Sequence, residues 1–351
     1  MSGVTRRPFR LETARLTIRP LARGDIARFT AYRNDPEVAR YQDWELPYTR
    51  DLAHALIDEL EPDGRPRPGE WVQLAIVDAD DHVVGDLAVW LDSSAQLAMI
   101  GYTLSTDHQG KGYATEAVAA IVRWLLTVKK VHRVAATIDP ANLASARVLE
   151  RTGFRYIGTA RSAALVRGNW EDDARFELLL DDWKLWRRLR RPARRVDLVE
   201  VTEHNVRAVG ELDRAFSQRR FVSSVYQSYG DALVAPGSAE SATPWYRAIA
   251  ADGELAGFAM VAAPVSPETD PYLWRFLIDW RHQGRGVGRL ALRQIAHHWG
   301  ARGASQIKLG CVAGVPGSPE PFYRRMGFRA TGHINPWGET EMIAEIALLQ
   351  G

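Results

Sequence analysis

The chain has 351 residues, 46% hydrophobic and 25% charged, a length that suits two cores and a composition that excludes a disordered chain. Its 45 Lys and Arg against 43 Asp and Glu leave a net charge of +2, so no overall field favours nucleic acid or an anionic membrane, and any phosphate must be met locally. The one cysteine, Cys311, excludes an internal disulfide and a cysteine-built zinc site and fits a reducing cytoplasm.

The first ten residues lack the apolar core of a signal peptide, and the longest charge-free apolar stretch, Leu255 to Pro267, is too short to cross a bilayer. Neither secretion nor membrane insertion is expected. Hydrophobic periodicity predicts a strand at Arg15 to Leu21, helices at Asp25 to Asn34 and Arg50 to Leu60, and a hairpin of Trp71 to Val77 with Val83 to Trp90 around Asp80-Asp81. A strand at Leu97 to Leu104 follows, then a loop at Gln109 opening a helix through Val128. Arg133 to Ile138 reads as a strand, Asn142 to Thr152 as a helix, and Phe154 to Thr159 and Ala174 to Leu180 as strands.

The same order then recurs. Strands are expected at Asp197 to Val201, Arg247 to Ala250, Gly257 to Ala262 and Leu273 to Ile278, with a loop at Gln283 and a helix to Trp299. Ile307 to Val312 (strand), Ser318 to Met326 (helix), Phe328 to Ile334 and Glu341 to Ala347 (strands) complete it. Cys311, inside the first of these, reads as a buried strand residue rather than a nucleophile. Between the halves, Trp186 to Arg195 is a basic run broken by Pro192, read as a helix tail and solvated linker, with an RNA-binding arm as the alternative.

One motif marks the repeat. Gln109-Gly110-Lys111-Gly112-Tyr113-Ala114 and Gln283-Gly284-Arg285-Gly286-Val287-Gly288 lie 174 residues apart, and each precedes a Gly-Phe pair, Gly153-Phe154 and Gly327-Phe328, by the same 44 residues. A glycine loop that runs from a strand straight into a helix points free backbone N–H groups outward at the positive end of the helix dipole. Without Cβ atoms it lets a pyrophosphate approach, and Lys111 or Arg285 would add positive charge beside it. The competing reading is a tight turn that merely needs glycine; the matched spacing favours the anion socket. No Walker-type loop and no complete dinucleotide fingerprint occur. The nine histidines show no metal spacing, so no metal is expected, and His297-His298 reads as a surface or packing pair.

Gln/Arg-x-x-Gly-x-Gly/Ala after the fourth strand resembles the acetyl-CoA pyrophosphate loop of the GNAT acetyltransferase superfamily, and it does so in both halves. The resemblance implies an α/β fold with mixed (α+β) sheets, as two tandem GNAT acyl-CoA N-acyltransferase domains at 9–186 and 197–351, joined by a basic linker at 187–196. The first half resembles the RimJ/RimL ribosomal-protein alanine N-acetyltransferases through Leu11-Glu12-Thr13-Ala14-Arg15-Leu16, Ile100-Gly101-Tyr102, Asn142 with Ser145, and the segment from Glu177 to Trp183. The second is similar to diamine and polyamine N-acetyltransferases through the runs from Trp274 to Asp279 and from Phe322 to Phe328.

The resemblance implies that the fourth and fifth strands of each half splay apart, and that the pantetheine of acetyl-CoA, the co-substrate, bonds to free strand edges near Leu104 and Ile278. Gln109 to Ala114 and Gln283 to Gly288 would hold its diphosphate, with Asn142 and Ser145 facing the cofactor arm in the first half. Tyr323 would stand near the thioester sulfur, where a phenol of pKa about 10 can protonate a departing thiolate; a core aromatic is the alternative. The same offset in the first half falls on Leu149, which cannot donate, so Ser145 would have to stabilise the thiolate there. Met99 stands where RimJ/RimL-like domains often carry glutamate, and neither half shows an obvious base.

The expected function is acetyl transfer to a primary amine of a small molecule, a polyamine or an amine-bearing antibiotic, by direct attack in a ternary complex. The alternatives are peptide or protein N-terminal acetylation and a non-catalytic acetyl-CoA sensor. The acceptor pocket is expected to draw on Phe221, Tyr226, Tyr229, Trp245 and Trp337, and the basic Gln218-Arg219-Arg220 with only Asp231 and Glu240 as carboxylates speaks against a polyamine. No nucleic acid or membrane partner is expected, the location is expected to be cytoplasmic, and a homodimer is left open.

Overall fold

The computed structural model describes residues 7–233, 243–264 and 269–350; Glu240 and the end of the Leu255 to Pro267 stretch lie outside the described residues. The chain divides into two units, Met1–Leu185 and Trp186–Gly351.

In the first unit, eight strands form one mixed sheet: β1 (Leu11–Glu12), β2 (Thr17–Pro20), β3 (Trp71–Val77), β4 (Val83–Leu91), β5 (Leu97–Leu104), β6 (Arg133–Ile138), β7 (Arg155–Val166) and β8 (Asn169–Leu179). Their order in space is β1-β2-β3-β4-β5-β6-β8-β7. β3 and β4 meet through a turn in which Asp78 Oδ1 accepts the N–H groups of Asp80 and His82 and Asp81 takes φ 61°, which an aspartate tolerates. Helix Tyr113–Trp124 buries Ala117, Val118, Ile121 and Val122, a stripe of helical spacing. The β7–β8 hairpin runs well past the expected Phe154 to Thr159 and Ala174 to Leu180. Its tip mixes polar residues with exposed apolar ones such as Leu165 and Trp170 and offers no alternation to read, but Arg167 and Gly168, at φ 46° and 84°, close a tight turn whose twist lets the ladder continue.

The second unit repeats the plan with seven strands: β9 (Val196–Glu200), β10 (Pro244–Ala251), β11 (Glu254–Ala262), β12 (Tyr272–Ile278), β13 (Gln306–Cys311), β14 (Arg329–Ile334) and β15 (Thr340–Glu345). They lie in the order β14-β15-β13-β12-β11-β10-β9. Helix Val287–Gly300 buries Val287, Ala291, Leu292, Ile295, Ala296 and Trp299 in one core with Val261, Leu273, Ile307 and Leu309. Each large side chain in it is worth about 1.5–3 kcal/mol. The chain ends in a short helix, Ile346–Gln350, where a strand to Ala347 was expected.

The basic run is not a free linker. Leu189 is buried, Arg190 donates to the Arg281 carbonyl, and the N–H groups of Arg194 and Arg195 both bond Asp252 Oδ1, so the run is laid onto the second unit. Among the described residues, no helix is long and apolar enough to cross a membrane.

Candidate functional site

Both units build the glycine loop in the same way. β5 and β12 each end in a 3-10 turn, Thr106–His108 and Trp280–His282. The glutamine that follows folds its amide back onto the last strand carbonyl, Gln109 Nε2 to Leu104 at 3.2 Å and Gln283 Nε2 to Ile278 at 3.0 Å. Gly110 and Gly112 sit at φ 72° and 83°, Gly284 and Gly286 at 74° and 80°. These left-handed values favour glycine and aim successive N–H groups outward. A Cβ on Gly110 or Gly286 would meet nothing within 4 Å, so open space stands over the first turns of helices Tyr113–Trp124 and Val287–Gly300. Their leading N–H groups have no intrahelical partner. The arrangement can take an anion twice.

Beside each loop the sheet opens. β5 and β6 are parallel and pair only at Leu97↔Arg133, Ala98↔Val134 and Met99↔Ala135; β12 and β13 pair only at Tyr272↔Lys308 and Leu273↔Leu309. Beyond Met99 and Leu273 the facing strand edges carry no ladder, which leaves main-chain groups for a ligand lying in the gap. The free edge lies short of the residues expected from sequence, because the carbonyls of Leu104 and Ile278 are already held by the glutamines.

In the second unit the gap continues into a cavity of about 870 Å³, lined at one end by Gln283, Gly284, Gly286, Val287 and Gly288 and at the other by Trp274, Asp231, Trp337 and Glu339. Tyr323, on helix Glu320–Arg325, reaches it with 8% exposure. Burial pushes its phenol well above the ordinary value, and among the described residues its hydroxyl has no hydrogen-bond partner. It is a neutral donor on the cavity wall whose ring packs edge-on against Phe322 and Phe328 in the core of the unit. Cys311, also on the wall, is 3% exposed; burial, then Glu320 and Glu339, push its thiol up to about 11, so it is not a thiolate at neutral pH. Of the five aromatics expected in the pocket only Phe221 and Trp337 line it; Tyr229 packs on Tyr246 and Phe258, and Trp245 on His298 and Trp299.

In the first unit, Ser145 and Tyr102 share a hydrogen bond of 2.7 Å between their hydroxyls, which ties β5 to helix Leu143–Thr152 beside the gap. Leu149 is fully buried. Asn142 Oδ1 accepts the Ser145 N–H at 3.0 Å, so that oxygen caps its own helix.

Arg285 departs from expectation. Its guanidinium is 6% exposed and turned away from the loop mouth: Nη2 meets Asp252 at 2.9 Å, Nε the Arg191 carbonyl at 3.0 Å and Nη1 His282 Nδ1 at 2.7 Å. It anchors the basic run, and only its backbone remains for an anion. Lys111 stays exposed without an ion pair among the described residues.

Several site residues escaped sequence reasoning. Arg15 reaches the first loop, donating to the Lys111 carbonyl at 2.9 Å, lying over the Tyr113 ring and pairing with Glu116 at 2.7 Å. Arg190 comes within 4.0 Å of where a Gly284 Cβ would stand. His108 and His282 precede the two glutamines at the same offset of 174 and were a legible extension of the repeat. Asp78, half-buried, and the exposed Asp80 and His82 bring their ligand atoms within 4.8 Å of one another, but the Asp78 carboxylate organises the β3–β4 turn.

A mixed sheet parted at its one parallel pair, with a glycine loop crowning the adjacent helix, is an acyl-CoA-binding arrangement, and this chain carries two. Residues 15–155 match the acetyltransferase (GNAT) domain and residues 211–328 the acetyltransferase (GNAT) family. The chain is 39% identical over 106 residues to the probable N-acetyltransferase YjcK of Bacillus subtilis, a match covering 30% of this chain and 59% of that protein. It is 30% identical over 174 residues to the uncharacterized N-acetyltransferase p20 of Bacillus licheniformis, covering 48% of this chain and 95% of that protein. It is 34% identical over 84 residues to the ribosomal protein uS5-alanine N-acetyltransferase of Escherichia coli, covering 24% of this chain and 43% of that protein. The chain belongs to the GNAT family of N-acetyltransferases, whose co-substrate is acetyl-CoA. The residues fit that ligand: outward N–H groups and open space for the diphosphate, and unpaired strand edges for the amide-bearing pantetheine arm.

Proposed function

We propose that the second unit transfers acetyl from acetyl-CoA to a primary amine of a small molecule by direct attack in a ternary complex, and that the first unit is the weaker catalyst. One observation carries this reading: Tyr323, whose neutral hydroxyl has no hydrogen-bond partner among the described residues, lines the same cavity as the Gln283 to Gly288 loop. The backbone of that loop holds the diphosphate, the free edge of β12 aligns the pantetheine, and Tyr323 protonates the leaving thiolate. In the first unit Leu149 stands at the equivalent offset, and Ser145 with Tyr102 supplies the only hydroxyls beside the gap that we assign to the thiolate.

The acceptor end is aromatic and carries Arg214, Arg219 and Arg275, and Asp231 is tied to Arg275 at 2.9 Å. That lining favours a single amine on an apolar body over a polyamine, which needs several carboxylates. The uS5-alanine N-acetyltransferase among the relatives supports a second reading, a protein or peptide N-terminus. Turnover with phenylethylamine, aminoglycosides, spermidine and Ala- or Ser-starting peptides separates them. Tyr323→Phe is expected to lower kcat about 100-fold with the acetyl-CoA KM unchanged. If it left turnover intact while Ser145→Ala abolished it, the ranking of the two units would be reversed.

A further inference from the structure

An amine of pKa near 10 is about 0.1% neutral at pH 7, a deficit of roughly 4 kcal/mol, so transfer at neutral pH calls for a base. We infer that Glu339, in the turn between β14 and β15, is the general base of the second unit; this rests on the assignment of transfer to that unit. Glu339 lines the cavity together with Tyr323, Cys311 and Trp274. Its carboxylate reaches the fork of the sheet. Gly310 is the first β13 residue past the last parallel pair, and a Cβ there would lie 2.5 Å from Glu339 Oε2, 2.7 Å from Asn335 Nδ2 and 2.7 Å from the Tyr272 hydroxyl. The missing side chain is what lets three polar groups converge where the strands part.

The carboxylate is held in one orientation. Asn335, 9% exposed, donates from Nδ2 to Oε2 at 2.9 Å, while its Oδ1 accepts the N–H groups of Trp337 and Glu339 at 3.1 and 2.9 Å. Among the described residues Oε1 accepts no hydrogen bond and no cation pairs with Glu339, so one oxygen of this cavity-lining carboxylate is left to accept. The groups around it are Tyr272 from β12, Cys311 from β13 and Tyr323 from helix Glu320–Arg325, all kept neutral at pH 7 by burial. Glu341 of β15 and Arg275 of β12 act on the same Tyr272, and Arg275 is already bound to Asp231.

The step balances as follows. Glu339 takes one proton from the ammonium. The freed nitrogen attacks the thioester carbonyl carbon, forming the C–N bond, and the C–S bond breaks. The thiolate takes the Tyr323 proton, and the second proton shed by the nitrogen restores the phenol. The products are the amide, CoA and protonated Glu339, which returns its proton to water.

The test uses the full chain, wild type and Glu339→Gln, with phenylethylamine, spermidine and an Ala-starting peptide as acceptors, and acetyl-CoA affinity measured separately by calorimetry. Glu339→Gln is expected to lower kcat about 100-fold, to leave acetyl-CoA affinity unchanged and to make the rate climb with pH toward the ammonium's own pKa of about 10. With trifluoroethylamine, already neutral at pH 7, the loss should shrink to a few-fold, and formate should partly restore Glu339→Ala. A merely structural role would lower both amines alike, and that result, or a Glu339→Gln chain with wild-type rate and pH profile, overturns the inference alone. A wild-type chain that binds acetyl-CoA yet acetylates none of these amines overturns it together with the catalytic reading.

Discussion

Arginine can only donate, so the contact of 2.7 Å between Arg285 Nη1 and His282 Nδ1 requires a neutral imidazole with its proton on Nε2. Burial, aided by Arg285 and Arg281 against the pull of Asp279, holds His282 below its ordinary 6.5. The folded second unit therefore refuses a proton that the unfolded chain accepts. This contribution to stability is complete above about pH 6.5 and is lost as pH falls below it toward the depressed value. The second unit is expected to melt a few degrees lower at pH 5.5 than at pH 7.5, and His282→Gln to flatten that difference, as followed by thermal unfolding. Tyr323 was singled out through the family resemblance, and the structure puts it on the cavity wall; the engagement of Arg285 was not legible, since its partners Asp252 and Arg191 meet it only once the fold is made. Glu339, the base we infer, was equally hidden, in a turn more than fifty residues past the loop whose cavity it shares.

The turn into a helix is the element on which the site depends. A left-handed φ costs a non-glycine residue roughly 1–2 kcal/mol, and a methyl at Gly286 would enter the open space over the first turn of helix Val287–Gly300, where we propose the diphosphate binds. Gly286→Ala is expected to weaken acetyl-CoA binding at the second loop by about tenfold or more, measured by calorimetry. In the first unit, Arg15 and Glu116 fasten the segment before β2 to the start of helix Tyr113–Trp124, with Thr13 Oγ1 on the same carboxylate at 2.7 Å. Arg15→Ala should loosen that loop and cost about 1 kcal/mol in the unfolding of the first unit. Strands such as β3, β5 and β6 were legible because burial imprints apolar residues on them. The tip of β7–β8 was not, because an exposed ladder held by a glycine turn leaves no such imprint.

Taken as one chain, the duplication keeps the loop-and-gap architecture and varies the side chains beside it. Both units retain the glutamine, the two left-handed glycines and the parted parallel pair, while Tyr323 in one is answered by Leu149 in the other, and Met99 leaves the first unit without a carboxylate on β5. The duplication could be read from the matched spacing and the elements from periodicity, while the GNAT fold followed from the resemblance of the two glycine loops. The acceptor end could not, because its aromatics and carboxylates come from distant segments. Titration of the purified chain with acetyl-CoA by calorimetry is the most direct measurement. Two sites per chain are expected, falling to one when Gly110 and Gly112 are both replaced by valine; the absence of binding at either loop would contradict the account.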